Sequence, residues 1–509
     1  MNAFKIHLLT FLLLSFCLFA HADEVTINGI KYNIITKGDV ATVIAGDAKY
    51  KGNIVIPNEV IYNDKAYTVT EIGSEAFREC TGLTSIELPN TITTIGYNSF
   101  YKTAIKSIKI PNSVTTIESR AFFECAGLTK VEIPNSVTKI GDYAFCWCYG
   151  LTSITIGNGV ISIGINAFDS CNKLTSITIP NSVTELGDYA FEDCTALKSV
   201  VLGNGIKTIK SYTFRRCSML SDIIIPNNVT NIAEGAFSGC TSIVNIVIPN
   251  SVTKIGSSFG SGVFSGCSNL EKITIGNNVK NIDGYVFSGC DNLTEIYCHA
   301  IEVPNAQSKI FYQAYPEFIT LYVPEESIQK YIATEPWNTI GEIKTLTNSG
   351  NEIKKCALPR INYNNGKLDI TCETDNAEFI TEITCNDINK FFSNTIELTA
   401  TYNIATYATL SGYENSDVAT ATLCWIGDFS NDSNVTKIEH SPILISNCEN
   451  QIIIKGVKEN LRISIYGVNG AKVGNAISYN EEIIIPTTLD RHEIAIVNIG
   501  NTSIKYIMK

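Results

Sequence analysis

Cysteine is the residue best equipped for chemistry in this 509-residue chain, and 17 are present. Thiolates bind zinc, pair as disulfides in oxidising compartments, or attack as nucleophiles beside a histidine. Each use needs partners at particular spacings. Nine of the cysteines (Cys80, Cys125, Cys148, Cys171, Cys194, Cys217, Cys240, Cys267 and Cys290) instead recur at near-constant intervals, unlike any ligand set. Cys146-Trp147-Cys148 lacks the two-residue gap of a zinc pair and has no histidine beside it. Only His299, His440 and His492 follow residue 22, and they lie far apart. There is no glycine-rich phosphate loop ending in Lys-Ser/Thr and no G-x-S-x-G elbow. Acidic residues are dispersed, whereas acid/base hydrolysis needs them paired. These residues imply no catalytic set, no metal site and no cofactor, so the protein is expected not to be an enzyme.

The periodic cysteines belong to a larger repeat. Phe77, Phe100, Phe122, Phe145, Phe168, Phe191, Phe214, Phe237, Phe264 and Phe287 are spaced by 23, 22, 23, 23, 23, 23, 23, 27 and 23 residues. A period of twenty-odd residues marks a solenoid, whose units bury their apolar faces only by stacking on each other. Within one unit, Leu174 to Ile179 alternates Ile177 and Ile179 with Ser176 and Thr178, the pattern of a half-buried strand. Pro or Gly and then Asn end that run and turn the chain. A second apolar pair (Val183, Leu186) follows, and then the Ala-Phe-x-x-Cys segment of the next unit. One strand per unit predicts a parallel sheet on the curved inner face. The cysteines, one per layer and pointing inward, read as small buried hydrophobes. Layers about 4.8 Å apart put disulfides within reach, but parallel side-chain vectors oppose them, so free thiols are expected.

The I-P-x-x-V-x-x-I-G and A-F-x-x-C motifs resemble the BspA-like leucine-rich repeats of bacterial surface proteins, over roughly half of the chain. The resemblance implies a leucine-rich-repeat solenoid and a class associated with adhesion to host matrix proteins and with contacts between cells. The second copy lacks its cysteine and one residue, and four extra residues near Ser257 to Gly262 precede Phe264.

The flanks divide the remaining chain. Residues 1–22 read as a signal peptide: Lys5, an apolar Leu8 to Phe19, and Ala20-His21-Ala22 before Asp23. The apolar run is shorter than the ~20 residues that span a bilayer. A lipoprotein site at Cys17 is the alternative, opposed by the bulky Phe16. No later segment is apolar enough to cross a membrane. Residues 23–70 read as the N-terminal cap, 71–298 as repeats and 299–346 as the C-terminal cap, since open solenoid ends need covering. Residues 353–430 alternate in short runs (Lys367 to Cys372, Glu378 to Thr384, Ile396 to Tyr402, Ala405 to Leu410, Ala419 to Trp425), the pattern of a small antiparallel β-sandwich. They resemble a fibronectin type III or immunoglobulin-like module, and Cys372 and Cys385 are a candidate pair. Residues 440–509 form a second β unit resembling the C-terminal sorting domain of type nine secretion cargo, in I-S-I-Y-G-V-N-G-A-K-V and the closing S-I-K-Y-I-M-K. Arg491-His492-Glu493-Ile494-Ala495 stands where that family carries Gly-x-Tyr. The fold class is thus a β-rich solenoid followed by two small antiparallel β-sandwich units, exported or held at a surface, with outer-membrane attachment through the C-terminal domain.

Net charge is −12, with both signs interspersed. Nucleic acid and anionic membranes both call for a concentrated basic footprint, so neither is an expected partner. Two surfaces are candidates for a protein partner, with a glycan as the second class. The outward strand position runs Glu87, Lys109, Glu132, Thr155, Thr178 and then Val201, Ile224, Val247. That aliphatic stripe is rimmed by Ser199, Asp222 and Asn245, although β-propensity alone also places Val and Ile in strands. The second surface follows the repeat phenylalanine: Tyr101, Phe123, Cys146 and Trp147. These either anchor a partner or pack under the solenoid's own loops.

Overall fold

The computed structural model describes residues 22–257, 260–346, 356–364, 367–375, 377–385, 401–409, 416, 418–424, 443–448, 451–455, 462–467, 472–477, 482–489, 494–499 and 502–507. Of the signal-peptide reading of residues 1–22, residues 1–21 lie outside them, and Ala22 begins the first strand. Among the described residues no helix is long and apolar enough to cross a membrane. The chain divides into two compact units, Met1–Glu352 and Ile353–Lys509.

The first unit is a solenoid whose coils, numbered 1 to 10 from Phe77 to Phe287, each carry two parallel strands rather than the single one expected. The longer strand is the Ile-x-Ile run. Lys130–Ile133 pairs in register with Ser107–Lys109 and Ser153–Ile156, which stacks Val131 on Ile108 and Ile154. The shorter has two residues, as in Thr116–Ile117 and Lys139–Ile140, and pairs with its equivalents in neighbouring coils. Two residues are too few for alternation to show in the sequence. The Ala-Phe-x-x-Cys segment forms a third ladder: Phe122 N donates to Ala144 O at 2.8 Å, and Phe145 N to Ala167 O at 2.7 Å. Three hydrogen-bonded walls thus enclose one continuous core from Ile30 to Ile340.

The repeat phenylalanines form the axis of that core. Their rings stack nearly parallel, 5.3 Å apart from Phe77 to Phe100 and 5.2 Å from Phe168 to Phe191. The column continues to Phe311, one ring past the sequence repeats, at 5.6 Å from Phe287. Tyr50, tilted 53° on Phe77, and Trp337, edge-on to Phe311, close the two ends. The cysteines are buried free thiols, as expected, but they are more than small hydrophobes. From Cys125 to Cys290, each Sγ donates to the carbonyl of the preceding coil's phenylalanine, at 3.0–3.3 Å. Thr103 occupies the cysteine position of coil 2, with its hydroxyl 3.3 Å from Cys125 Sγ.

The Pro/Gly-Asn corner also has a structural cause. Asn135 Oδ1 accepts the N–H of Asn158, and Asn181 Oδ1 that of Asn204. This pulls the next coil so close that a Cβ at Gly203 would stand 2.3 Å from Pro180 O. Glycine is the residue that tolerates this approach.

At the N-terminal end, Ala22–Ile27, Ile30–Ile35 and Val40–Val43 pair antiparallel, and Val40–Val43 then joins Lys65–Ile72 in parallel. At the other end, Thr320–Val323 and Glu342–Thr345 extend the long-strand sheet.

The second unit is antiparallel, as expected. One six-stranded sheet runs through both expected sandwiches, because Ala419–Cys424 pairs with Ile443–Cys448 and carries Leu423 opposite Leu444. Thr401–Thr409 is a single strand where two runs were expected. Cys372 is a free thiol donating to Ala357 O at 3.1 Å, in place of the candidate pairing with Cys385; the side chain of Cys385 is outside the described set.

Candidate binding surface

The Ala-Phe-x-x-Cys wall turns sharply on both sides of its phenylalanine. In coils 1 to 7 the residues two before and two after Phe have left-handed backbone, φ +50° to +61°: Glu75 and Glu79, Asn98 and Lys102, Arg120 and Glu124, Tyr143 and Trp147, Asn166 and Ser170, Tyr189 and Asp193, Tyr212 and Arg216. None is glycine, and none is β-branched. Coils 8 to 10 place glycine at most of these positions, with positive φ at Gly235, Gly239, Gly266 and Gly289. Residues 238, 265 and 288, one after each phenylalanine, are serines there.

On coils 2 to 4 this wall carries an aromatic ladder. Tyr101 and Phe123 stack at 5.3 Å and 17°, and Trp147 meets Phe123 at 5.0 Å and 51°. Tyr101 and Phe123 are half-buried, whereas Trp147 is 39% exposed. The first two rings pack on each other, and the indole lies at the exposed end of the ladder. Cys146, grouped with them in the sequence, is buried, and its thiol donates to Asp169 Oδ2 at 3.6 Å. Burial and that carboxylate push the Cys146 thiol up. Burial also raises the Asp169 carboxyl, against hydrogen bonds from Ser170 and Asn166. A second ladder, Tyr189 on Tyr212 at 4.8 Å, ends over Gly235, where a Cβ would stand 2.3 Å from the Tyr212 ring.

Cations lean on these rings. Arg78 and Lys102 lie 5.4 and 5.3 Å from the Tyr101 centroid, and Arg120 lies 5.2 Å from Tyr143 and 6.0 Å from Phe123. Arg120, Tyr143, Tyr97 and Tyr149 were missed in the sequence. The available signal was the column two before each phenylalanine, where Arg120, Tyr143, Tyr189 and Tyr212 stand within five coils.

The aliphatic stripe lies on the long-strand wall. Val201 and Ile224 are in register, Val247 begins the next ladder, and all three are half-buried. Asp222 and Asn245 beside them are exposed. The stripe is thus less water-facing than alternation alone predicted. The same outward column ends in Tyr297 stacked on Tyr322 at 4.4 Å, with the Lys272 ammonium 4.1 Å from the Tyr297 centroid. Among the described residues, no three His, Cys, Asp or Glu side chains gather closely enough to hold a metal ion.

Residues 58–157, 138–259 and 257–364 match the model of the BspA type leucine-rich repeat region, with six copies. The chain belongs to the BspA-type leucine-rich repeat family. BspA-type proteins are typically found at the cell surface, the fold is typically non-catalytic, and leucine-rich repeats generally serve protein interaction. Among solved structures, a leucine-rich cell surface protein of Faecalibacterium prausnitzii A2-165 is 25% identical, with a TM-score of 0.39 over 65% of this chain and 96% of that one. A leucine-rich repeat protein of Bacteroides ovatus ATCC 8483 is 23% identical (TM-score 0.38; 64% and 100%). The pneumococcal vaccine antigen PcpA is also 23% identical (TM-score 0.36; 64% and 99%). No curated protein matches.

Proposed function

We propose that this BspA-type protein is a secreted or surface-displayed, non-catalytic binding protein of adhesin-like role. Its solenoid meets a protein partner on a host matrix or another bacterial surface, and the second unit serves as stalk and sorting signal. The observation that carries the reading is the set of fourteen non-glycine residues with left-handed backbone on coils 1 to 7. Such a residue costs on the order of 1 kcal/mol over glycine, and coils 8 to 10 show that the same coil closes with glycine. Large charged and aromatic side chains kept at strained positions, on a wall facing away from the core, favour a contact surface.

The test replaces Arg120, Tyr143, Trp147, Tyr189, Tyr212 and Arg216 together by glycine and measures binding to immobilised, purified extracellular-matrix proteins. The circular dichroism spectrum should stay unchanged while binding falls at least about tenfold. Equal binding by the glycine variant would sink the reading. The exposed indole of Trp147 is the observation favouring a second reading, a glycan-binding accessory of a surface polysaccharide-handling complex. In that case glycan-array binding disappears in Trp147→Gly.

A further inference from the structure

At the three positions that flank the phenylalanine on coils 1 to 7 (two before, one after, two after), five cations stand. Four have a carboxylate partner on the same wall: Arg78 with Glu75 at 2.7 Å, Lys102 with Glu124 at 3.3 Å, Arg215 with Glu192 at 3.0 Å and Arg216 with Asp193 at 2.9 Å. The fifth, Arg120, is exposed and has no carboxylate within ion-pair distance among the described residues. Its guanidinium instead donates to Tyr97 Oη at 3.3 Å and lies over the rings of Tyr143 and Phe123. A planar cation held by aromatic faces keeps its fork pre-oriented, with donors to spare.

We propose that Arg120 and Trp147, which both lie against Phe123, form the docking point for a partner protein that presents an Asp or Glu side chain beside an apolar one. The carboxylate pairs with Arg120 and the apolar group covers the indole. This rests on the binding role proposed above and names the chemistry that the wall selects.

Two features set the choice of partner. The guanidinium is held by the Tyr97 hydroxyl and over the Tyr143 and Phe123 rings, so its fork is pre-oriented for a bidentate carboxylate. The rings themselves discriminate. Tyr101 and Phe123 stack on each other, Arg78 and Lys102 lie over Tyr101, and Trp147 and Arg120 lie against Phe123, so both rings are already engaged. A sugar ring stacks on an unengaged face, whereas the Arg120 fork matches a carboxylate. Arginine, tryptophan and tyrosine gathered around one packed ring is also the composition of a protein–protein hot spot.

The test pans a phage library of random dodecapeptides on the full chain, then measures the affinity of selected synthetic peptides for variants. Arg120→Gly and Trp147→Gly suit positions whose φ is +57° and +61°, so both keep the backbone as it is. Selected peptides should place Asp or Glu next to an aromatic or aliphatic residue. They should bind each variant about tenfold or more weakly, bind more weakly in high salt, and bind Tyr312→Ala, on the C-terminal cap, unchanged. Peptides with no acidic residue, or equal binding to Arg120→Gly, overturn the proposal; so does Arg120-dependent capture of acidic oligosaccharides with no peptide selected. Loss in Trp147→Gly with no loss in Arg120→Gly sinks this pairing and leaves the wall as the contact surface. Indifference to both variants and to the sixfold glycine variant sinks both.

Discussion

Coils 1 to 7 and coils 8 to 10 build the same interior and opposite exteriors. Both stack phenylalanine rings, both run a thiol-to-carbonyl ladder, and both pair two parallel strands per coil. On the outer turn, coils 1 to 7 hold Glu, Asn, Lys, Arg, Tyr, Trp, Ser and Asp in left-handed backbone, while coils 8 to 10 have glycine at every equivalent position except Tyr285. Packing therefore fixes the shape of the coil, and the turn leaves residue choice free. Where a choice is free and the costlier residue is retained, something other than folding favours it.

The largest expected effect tests the shared interior. Burial pushes the thiols of Cys125 in coil 3 and Cys267 in coil 9 up to about 12, and those of Cys148, Cys171, Cys217 and Cys240 well above the ordinary range. A raised folded-state value leaves stability intact below the unfolded thiol value near 9. Stability is then lost as pH rises toward the folded values, because only the unfolded chain releases its protons. Urea midpoints should be flat to about pH 8 and fall steeply between about 9 and 12. Alkylation by iodoacetamide should require unfolding. A native chain whose coil 1–7 cysteines label while those of coils 8–10 do not would break the equivalence of the two interiors.

Next comes Phe168→Ala against Phe264→Ala. Removing a buried phenyl ring costs roughly 3–5 kcal/mol. Phe168 stacks at 5.4 and 5.2 Å from its neighbours, Phe264 at 5.6 and 6.3 Å. The wider spacing places Phe264→Ala at the lower end. In a solenoid the loss stays local, so hydrogen exchange should accelerate in the coils next to each substitution. An equal cost at the two sites would mean that ring spacing does not control the spine.

Gly235→Ala probes the seam between the two regions. A Cβ there would stand 2.3 Å from the Tyr212 ring at φ +60°, which predicts a loss of about 1–3 kcal/mol. Tyr212→Ser in the same chain should recover the steric part and leave the backbone part. Thermal melts of the single and double variants separate them, and no recovery would place the whole cost in the backbone.

Much of the interior was legible because its signals are strictly periodic. Phe168, Cys171, Ile177 and Leu186 each recur in one column, and period alone assigns them to the core. The second strand was not legible, because Glu185–Leu186 is too short to alternate. The thiol hydrogen bond was hidden, because a small buried residue and a buried donor look alike in sequence; Thr103 in a cysteine position was the clue. Phe311, Tyr50 and Trp337 were missed as members of the spine because each sits off the repeat frame. The candidate contact wall was half legible: Tyr101, Phe123 and Trp147 stand out by type, whereas Arg120 becomes notable only once every neighbouring cation is seen to be paired.

The smallest effect bears most directly on the contrast. At Gly239, with φ +76°, a Cβ would meet Arg216 atoms no closer than 3.4 Å, so space is available and Gly239→Ala isolates backbone strain. It should cost about 1 kcal/mol. Glu79, at the equivalent position of coil 1 with φ +57°, has its carboxylate 3.8 Å from Arg78 Nε and largely in solvent, a pairing of little worth. Glu79→Gly should therefore stabilise by about 0.5–1 kcal/mol. Urea titrations of the two single variants, fitted at a common slope, measure both values. Opposite signs of similar size mean that coils 1 to 7 carry strain which folding would discard. A destabilising Glu79→Gly would mean that the side chains on that wall stabilise their own coils, and the strain would no longer speak for a partner.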